Sequence, residues 1–171
     1  MKNLKWLLSV CVLVFMFLAS CGYHFEGGGY IKNDVTRVAV DALKNKSSET
    51  GAGITFTNAL IREIIQKTDT KVVDESHASA VLKGKVNAIT FATLSRSTTE
   101  SVIARRVTAS VDLKLIGRDG KTIWSVRNFT SYEDYNVSED MITDETNRKE
   151  AVDKIATRIA EKLISKMLIN F

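Results

Sequence analysis

The side chains best suited to bind an anion are three arginines around one predicted strand pair. Arg96 lies in a serine- and threonine-rich turn, residues 93–101, and Arg105 and Arg106 begin the strand that follows. Because Arg96 and this pair flank one hairpin, we expect their guanidinium groups to converge, with Arg105 at or beyond the edge of the sheet. Arginine binds phosphate through paired hydrogen bonds, so the cluster predicts a site for a phosphorylated glycolipid. The alternative is a surface of ordinary salt bridges.

Side chains suited to catalysis or metal binding are sparse. The chain has two histidines, His24 and His77, and two cysteines, none of them at the spacing of metal ligands. Ser76 precedes His77 in a polar turn, but neighbours in sequence do not make a catalytic triad, and turns are rich in serine. The sequence therefore predicts no catalytic residue, no metal site and no cofactor. A hydrolase with an unrecognised site is the least favoured alternative.

The first twenty residues have the pattern of an export signal. Lys2 and Lys5 precede an apolar run over residues 7–18, which is too short to cross a hydrocarbon core of about 30 Å. The sequence Leu-Ala-Ser-Cys, ending at Cys21, then resembles the processing site of bacterial lipoproteins. Residues 1–20 are thus predicted to be a signal peptide, and Cys21 is predicted to be the lipid-modified first residue of the mature protein. The alternative is a membrane anchor with an incidental cysteine.

Residues 21–34 are interpreted as the lipidated N-terminus and a tether, because three consecutive glycines at 27–29 favour a flexible chain. Several acyl chains on one residue give stable membrane binding. Glycine rather than aspartate follows Cys21, and by resemblance to the sorting rules of two-membrane bacteria this favours the outer membrane. We therefore expect a lipid-anchored protein on the periplasmic side of the outer membrane.

The charge of the chain argues against nucleic acid as a partner. The whole sequence has 24 basic and 20 acidic residues and a net charge of +4. Two of the lysines lie in the predicted signal peptide, which leaves 22 basic residues against the same 20 acidic ones. A domain that follows a phosphate backbone usually carries a larger basic excess.

The hydrophobic pattern of residues 35–171 predicts a single α+β domain. Strands are expected at 35–43, 71–74, 80–91, 103–115 and 122–132, with Asp119-Gly120 as a hairpin turn, and helices at 54–67 and from a cap at Thr143 to about Leu168. Residues 103–115 alternate between apolar and polar, which is typical of a half-buried strand. One-sided helices and a one-sided sheet predict two helices packed on one face of a mostly antiparallel four- to five-stranded sheet.

The two predicted helices differ in what they expose. The first is expected to bury one face, formed by Ile54, Ile61, Ile64 and Ile65 and widened by Phe56 and Leu60. The second has an apolar face, opposite which basic residues recur every fourth position: Lys154, Arg158, Lys162 and Lys166. This stripe is interpreted as a solvated face, and the alternative is a surface for an anionic partner.

The residues after the predicted processing site carry a family pattern. Residues 21–25 read Cys-Gly-Tyr-His-Phe, and the terminal helix contains Ala-Glu-Lys-Leu-Ile at 160–164. Together with the processing site and the order of elements, these segments resemble the LptE family of lipopolysaccharide-assembly lipoproteins.

The resemblance implies a function without catalysis. LptE proteins sit at the inner leaflet of the outer membrane, plug the β-barrel translocon LptD, help to assemble it and bind lipopolysaccharide. The resemblance places Arg96 in the glycolipid contact, while Arg105 and Arg106 are added from the residues alone. The loop before the last helix, basic in some relatives, is acidic here at residues 138–144.

A second function is compatible with the same pattern. The strand at 35–43 followed by the first helix is similar to lipoproteins that activate peptidoglycan synthases. A periplasmic lipoprotein that binds and activates such a synthase is therefore the alternative function.

Overall fold

The computed structural model describes residues 28–32, 35–96 and 101–168. The elements follow in the order β1 (Arg37–Val40), β2 (Lys44–Asn45), α1 (Ala52–Lys67), β3 (Lys71–Val72), β4 (Ala80–Arg96), β5 (Val102–Gly117), β6 (Thr122–Asn136) and α2 (Met141–Leu168). The predicted signal peptide, Cys21 and most of the predicted tether lie outside the described residues. Among the described residues, no helix is long and apolar enough to cross a membrane.

The sheet has six strands in a mixed arrangement. Its order is β3-β1-β4-β5-β6, and β2 pairs separately with β4. The long pairs β4–β5 and β5–β6 are antiparallel, whereas β1–β3, β1–β4 and β2–β4 are short and parallel. The predicted α+β class is confirmed, but the predicted count of four to five strands is one too few. Strands of two residues, such as β2, are too short to show alternation in the sequence.

The hydrophobic core lies between one face of the sheet and the two helices. Strand β5 buries every second residue, as its alternation predicts: Val107, Ala109, Val111, Leu113 and Leu115. Helix α2 buries the predicted apolar face, which contains Val152, Ile155, Ala156, Ile159, Leu163 and Met167. Both helices cover this face, so the other face of the sheet is open and polar. It is called the open face below.

Helix α1 buries only part of its predicted apolar face, because it is rotated. Phe56, Leu60 and Ile64 are buried as predicted, together with several small residues, but Ile54 and Ile65 are 66% and 62% exposed. The rotation is set by contact with the backbone of Leu43. Thr57 Oγ1 accepts a hydrogen bond from Leu43 N (2.9 Å), and a β-carbon at Gly53 would collide with Leu43 O. The close approach of this helix to the backbone of Leu43, rather than the spacing of its apolar residues, decides which face is buried.

Helix α2 begins at Met141, and its cap lies three residues earlier than predicted. Its cap is Asp140, whose carboxylate accepts hydrogen bonds from Thr143 N (2.8 Å) and Thr143 Oγ1 (2.6 Å). The prediction that Thr143 is the cap is therefore wrong. Aspartate is a strong cap because its oxygen satisfies an amide of the first turn that has no partner within the helix.

The molecule has two distinct ends. At the proximal end, Ile31 N donates to Thr70 Oγ1 (2.9 Å) and Lys32 N donates to Met167 O in the last turn of α2 (3.3 Å). At the distal end, β4 ends, β5 begins and α2 begins. A helix of 28 residues is about 42 Å long, so the two ends are far apart.

Candidate functional site

The three predicted arginines lie near the distal end but not on one surface. Arg96 is exposed at the last position of β4, where it pairs with Val102. Arg105 and Arg106 are neighbours on β5, and successive residues of a strand point to opposite faces. Arg106 therefore lies on the open face, whereas Arg105 has the same orientation as the buried Val107. The expected convergence does not extend to all three side chains.

Arg106 is already engaged by a carboxylate. Its Nε and Nη2 atoms donate to the two oxygens of Asp134 at 2.7 and 2.8 Å, and its guanidinium lies 4.1 Å from the centre of the Tyr132 ring. The hydrogen bond to Arg106 lowers the pKa of Asp134, and the same bond raises the pKa of Arg106. An anion that binds Arg106 must compete with Asp134.

Arg105 is half-buried inside the ladder rather than at a sheet edge. It pairs in register with Thr93 on β4 and Tyr135 on β6. It makes no ion pair with any residue in the described part of the chain. The buried hydroxyl of Tyr135 has no hydrogen-bond partner among the described residues. The position expected for Arg105 is thus wrong, because the ladder continues past it on both sides.

The turn that contains Ser76 and His77 does not have triad geometry. His77 Nδ1 lies 3.0 Å from Ser76 Oγ and 2.9 Å from the Asp74 carboxylate. In a triad the base uses opposite ring nitrogens for the nucleophile and for the orienting carboxylate. All three side chains are exposed, and hydrogen bonds from Ser76 and then His77 lower the pKa of Asp74 to about 2. This turn stabilises its own carboxylate.

The described residues hold no group of three or more histidine, cysteine, aspartate or glutamate side chains that could hold a metal ion.

The open face carries a basic groove that the sequence analysis missed. The groove has a volume of about 510 Å³, and it is called the open-face groove below. Its charged side chains are five cations and one carboxylate: Lys44, Lys83, Lys85, Lys114, Arg127 and Asp112. They come from four strands, so no single segment of the sequence shows them as a cluster. The sequence signal for it was the alternation of polar and apolar residues along β4 and β5, which places Lys83, Lys85 and Lys114 on the same face of the sheet.

A cluster of polar side chains around Asp112 stabilises the strands that line the groove. Asp112 Oδ1 accepts hydrogen bonds from Asn128 N (2.8 Å) and Asn87 Nδ2 (2.6 Å). The pairing register shifts at Asn87 on β4 and opposite Asp112 on β6, and Asn128 has a positive φ of 49°. These hydrogen bonds, first the one from Asn128, lower the pKa of Asp112. Asp112 thus stabilises two β-bulges, which change the direction of neighbouring side chains.

Comparison with known families decides the assignment of the chain. Residues 35–167 match the family model described as lipopolysaccharide-assembly, LptE. The chain belongs to the LptE family. The matched span includes all six strands and nearly all of α2, so the LptE match covers the entire two-layer fold. LptE proteins are lipoproteins of lipopolysaccharide assembly and not enzymes.

Solved structures share the fold of this LptE chain at low sequence identity. Lipoprotein B from Nitrosomonas europaea has a TM-score of 0.59 and 16% identity, over 86% of this chain and 90% of that one. A lipoprotein from Caulobacter crescentus has a TM-score of 0.57 and 14% identity, over 77% and 87%. A PelC dodecamer from Paraburkholderia phytofirmans has a TM-score of 0.52 and 16% identity, over 78% and 89%. No curated protein sequence matches the chain.

The acidic loop of this LptE chain has a structural role. Asp140 caps α2, and Asp144 Oδ1 accepts a hydrogen bond from Ser138 N at 3.2 Å. The hydrogen bonds to Thr143 lower the pKa of Asp140. These carboxylates order the start of α2, next to the distal end where Arg96 lies.

Proposed function

We propose that the protein is an outer-membrane lipoprotein of the lipopolysaccharide translocon. In this proposal Cys21 carries the lipid anchor on the periplasmic side, and the folded domain plugs the LptD β-barrel, helps to assemble it and binds lipopolysaccharide. The observation that carries the proposal is the LptE match across the whole described fold. The signal-like leader and the Leu-Ala-Ser-Cys sequence support the anchor.

The surface of the fold supports insertion into a barrel. One face of the sheet is covered by helices and the other is polar, and the lumen of a membrane β-barrel is polar as well. Exposed apolar side chains are also concentrated at the distal end: Leu94, Ile103, Met141 and Ile142. Exposed apolar groups of this kind favour contact with a protein partner or lipid.

Arg96 and Arg105 are the stronger candidates for the lipopolysaccharide contact. Arg96 is exposed at the distal end, and Arg105 lies in the same ladder with no ion pair to a described residue. Arg106 belongs to the proposed set as well, but it contributes less because its guanidinium already binds Asp134. A phosphate group would use the paired donors of these arginines.

Charge reversal tests the lipopolysaccharide contact. Arg96→Glu and Arg105→Glu are each expected to weaken lipopolysaccharide binding by about tenfold or more, since a hydrogen bond to a charged group contributes about 1.5–3 kcal/mol. Arg106→Gln should have a smaller effect, and Lys154→Glu on the exposed side of α2 is the matched control. Unchanged binding by correctly folded Arg96 and Arg105 variants would reject this assignment.

Affinity purification from outer membranes tests the partner. We expect mass identification to find a large β-barrel, and Cys21→Ala is expected to release the protein from membranes. Recovery of an inner-membrane peptidoglycan synthase in place of a barrel would support the alternative function and overturn this one. Tight membrane binding by the Cys21→Ala chain would contradict the lipid anchor.

A further inference from the structure

The open-face groove places like charges opposite each other. Lys83 on β4 pairs in register with Lys114 on β5, and Lys85 on β4 pairs with Lys44 on β2. Directly opposed side chains in a sheet have β-carbons about 5 Å apart, and like charges at that distance destabilise the pairing. Two such pairs occur two residues apart on β4. An arrangement that is unfavourable for the sheet itself indicates a surface that meets negative charge.

Carboxylates of the protein neutralise only part of this groove. Lys85 pairs with Asp112 at 3.1 Å, and Lys83 pairs with Asp41 at 3.0 Å and with Glu75 at 3.6 Å. Within residues 28–32, 35–96 and 101–168, no ion pair is formed by the three remaining cations: Lys44, Lys114 and Arg127. Asp112, the carboxylate in the lining, is occupied by its hydrogen bonds to Lys85, Asn87 and Asn128.

Arg127 on β6 lies on the same face as the lysines. Ser125 on β6 pairs with Lys114 on β5, and successive residues of a strand alternate between faces, so Arg127 also lies on the open face. Val111 pairs with Phe129 and Leu113 with Val126, so the register breaks where Arg127 and Asn128 lie. Asn128 adopts the left-handed conformation, and its backbone amide is held by Asp112. Arg127 therefore lines the groove beside this bulge.

We propose that the open-face groove binds the phosphate groups of a membrane lipid. A phosphate concentrates up to two negative charges and three acceptor oxygens at one point, which suits long cationic side chains whose β-carbons are about 5 Å apart and whose charged ends can converge. Carboxylates on one side of an extended peptide carry one charge each and lie about 6.6 Å apart. Both β4 and β5 are paired on each side, so a peptide cannot add to them as a strand. Thr122 and Ser125 provide hydroxyl groups in the lining.

The position of the groove favours a lipid as the carrier of the phosphate. Val38 pairs with Ala80, so the start of β4 lies towards the proximal end. Lys83 and Lys85 follow Ala80 by three and five residues, about 10–17 Å along the strand. Cys21 is seven residues before Gly28, which is at most about 25 Å of chain. This step rests on the proposed lipid anchor, which would hold the proximal end near lipid head groups.

The test uses the full lipoprotein in neutral detergent. Fluorescent phosphatidic acid and fluorescent phosphatidylcholine are titrated into the wild-type protein, and inorganic pyrophosphate and polyglutamate serve as competitors. We expect binding of phosphatidic acid but not of phosphatidylcholine. The Lys114→Gln/Arg127→Gln variant should bind phosphatidic acid at least about tenfold more weakly than the wild type does. The control variant Lys154→Gln/Lys162→Gln, with the same change in net charge on exposed positions of α2, should bind like the wild type.

A second measurement keeps folding separate from binding. Phosphatidic acid should raise the Tm of the wild type and of the control variant, but not that of Lys114→Gln/Arg127→Gln. That variant should itself be at least as stable as the wild type without lipid, because it removes the like-charge repulsion of one opposed pair. Equal lipid affinity in both variants overturns the groove as the site.

The competitors and the barrel partner distinguish the remaining explanations. Competition by free pyrophosphate as strong as that by phosphatidic acid would overturn a lipid as the source of the phosphate, and equally strong competition by polyglutamate would overturn phosphate as the ligand. Loss of groove binding with normal barrel purification overturns this inference but not the proposed translocon function. Failure to purify a barrel with intact groove binding overturns the translocon function alone.

Discussion

Arg148 on α2 connects three parts of the molecule near its distal end. Its guanidinium contacts Glu49 in the segment before α1 and donates to both oxygens of Glu145 at 2.8 and 2.9 Å. It also lies 5.5 Å from the centre of the Phe91 ring on β4. The hydrogen bond from Arg148 is the main cause that lowers the pKa of Glu145 to about 2. The arginine therefore joins α2 to the segment before α1 and to the sheet.

We predict that Arg148→Met lowers the free energy of unfolding by about 3.5–4 kcal/mol. Glu49 is 8% exposed, so the variant leaves a buried carboxylate without its counter-charge, and breaking a buried ion pair costs about 3–5 kcal/mol. The Arg148 side chain is 25% exposed, which favours the lower part of that range. The contact with Phe91 adds about 0.5–1 kcal/mol. The exposed Glu145 contributes little, because solvent screens its charge.

Urea unfolding of four proteins measures this effect: the wild type, Arg148→Met, Glu49→Gln and the double variant. A neutral glutamine needs no counter-charge, so the double variant should be more stable than the sum of the single changes by about 2 kcal/mol. Lys149→Met is the matched control, because Lys149 is exposed and pairs with Glu145 at 3.4 Å; its effect should stay within about 0.5 kcal/mol. A loss below about 1 kcal/mol for Arg148→Met, or strictly additive changes in the double variant, would refute the reasoning.

Three further predictions concern other parts of the fold. Gly84→Ala should destabilise by about 1–3 kcal/mol, seen as a lower Tm, because its β-carbon would collide with Leu113; an unchanged Tm would contradict this packing. Asp140→Ala should lose about 1 kcal/mol in urea unfolding while Asp140→Asn retains most of the cap, and equal losses would argue against capping. Asp112 has a lowered pKa, so its contribution is complete above its ordinary value of 3.8 and is lost as pH falls through the folded value. Acid should therefore destabilise the wild type more than Asp112→Asn, and equal acid sensitivity would contradict the role of Asp112.

Local patterns predict the long antiparallel part of the sheet well. The alternation of β5 follows from burial of one face, and the Asp119-Gly120 turn is confirmed by the positive φ of Gly120, 77°. Gly117 N also donates to Lys121 O at 2.8 Å across this turn. These features depend on residues that are close in sequence, so a short segment of sequence is enough to predict them.

Features set by distant contacts could not be predicted in the same way. The apolar period of α1 allows more than one rotation, and its actual rotation depends on Leu43, which approaches Gly53 and Thr57. Strand β2 consists of two residues and exists because β4 pairs with it. In each case the deciding partner belongs to another element, and a helical or strand period does not identify that partner.

The candidate sites also include one feature that follows from local sequence and one that depends on distant contacts. Alternation alone is enough to place Arg105 and Arg106 on opposite faces, so their separation follows from the sequence. The open-face groove requires the register of β4 with β2 and β5, and that of β5 with β6. A site assembled from four strands becomes visible only when that register is known.

The contacts at the proximal end have a mechanical consequence. Ile31 is buried in the core, and the amide of Lys32 is bonded to the last turn of α2. Tension applied to the chain before Gly28 reaches Ile31 and Lys32 before it reaches β1. Strand β1 therefore cannot be peeled from the sheet until Ile31 leaves the core and the bond to Met167 breaks. A short segment ahead of the first strand thus protects the sheet against force applied through the N-terminal chain.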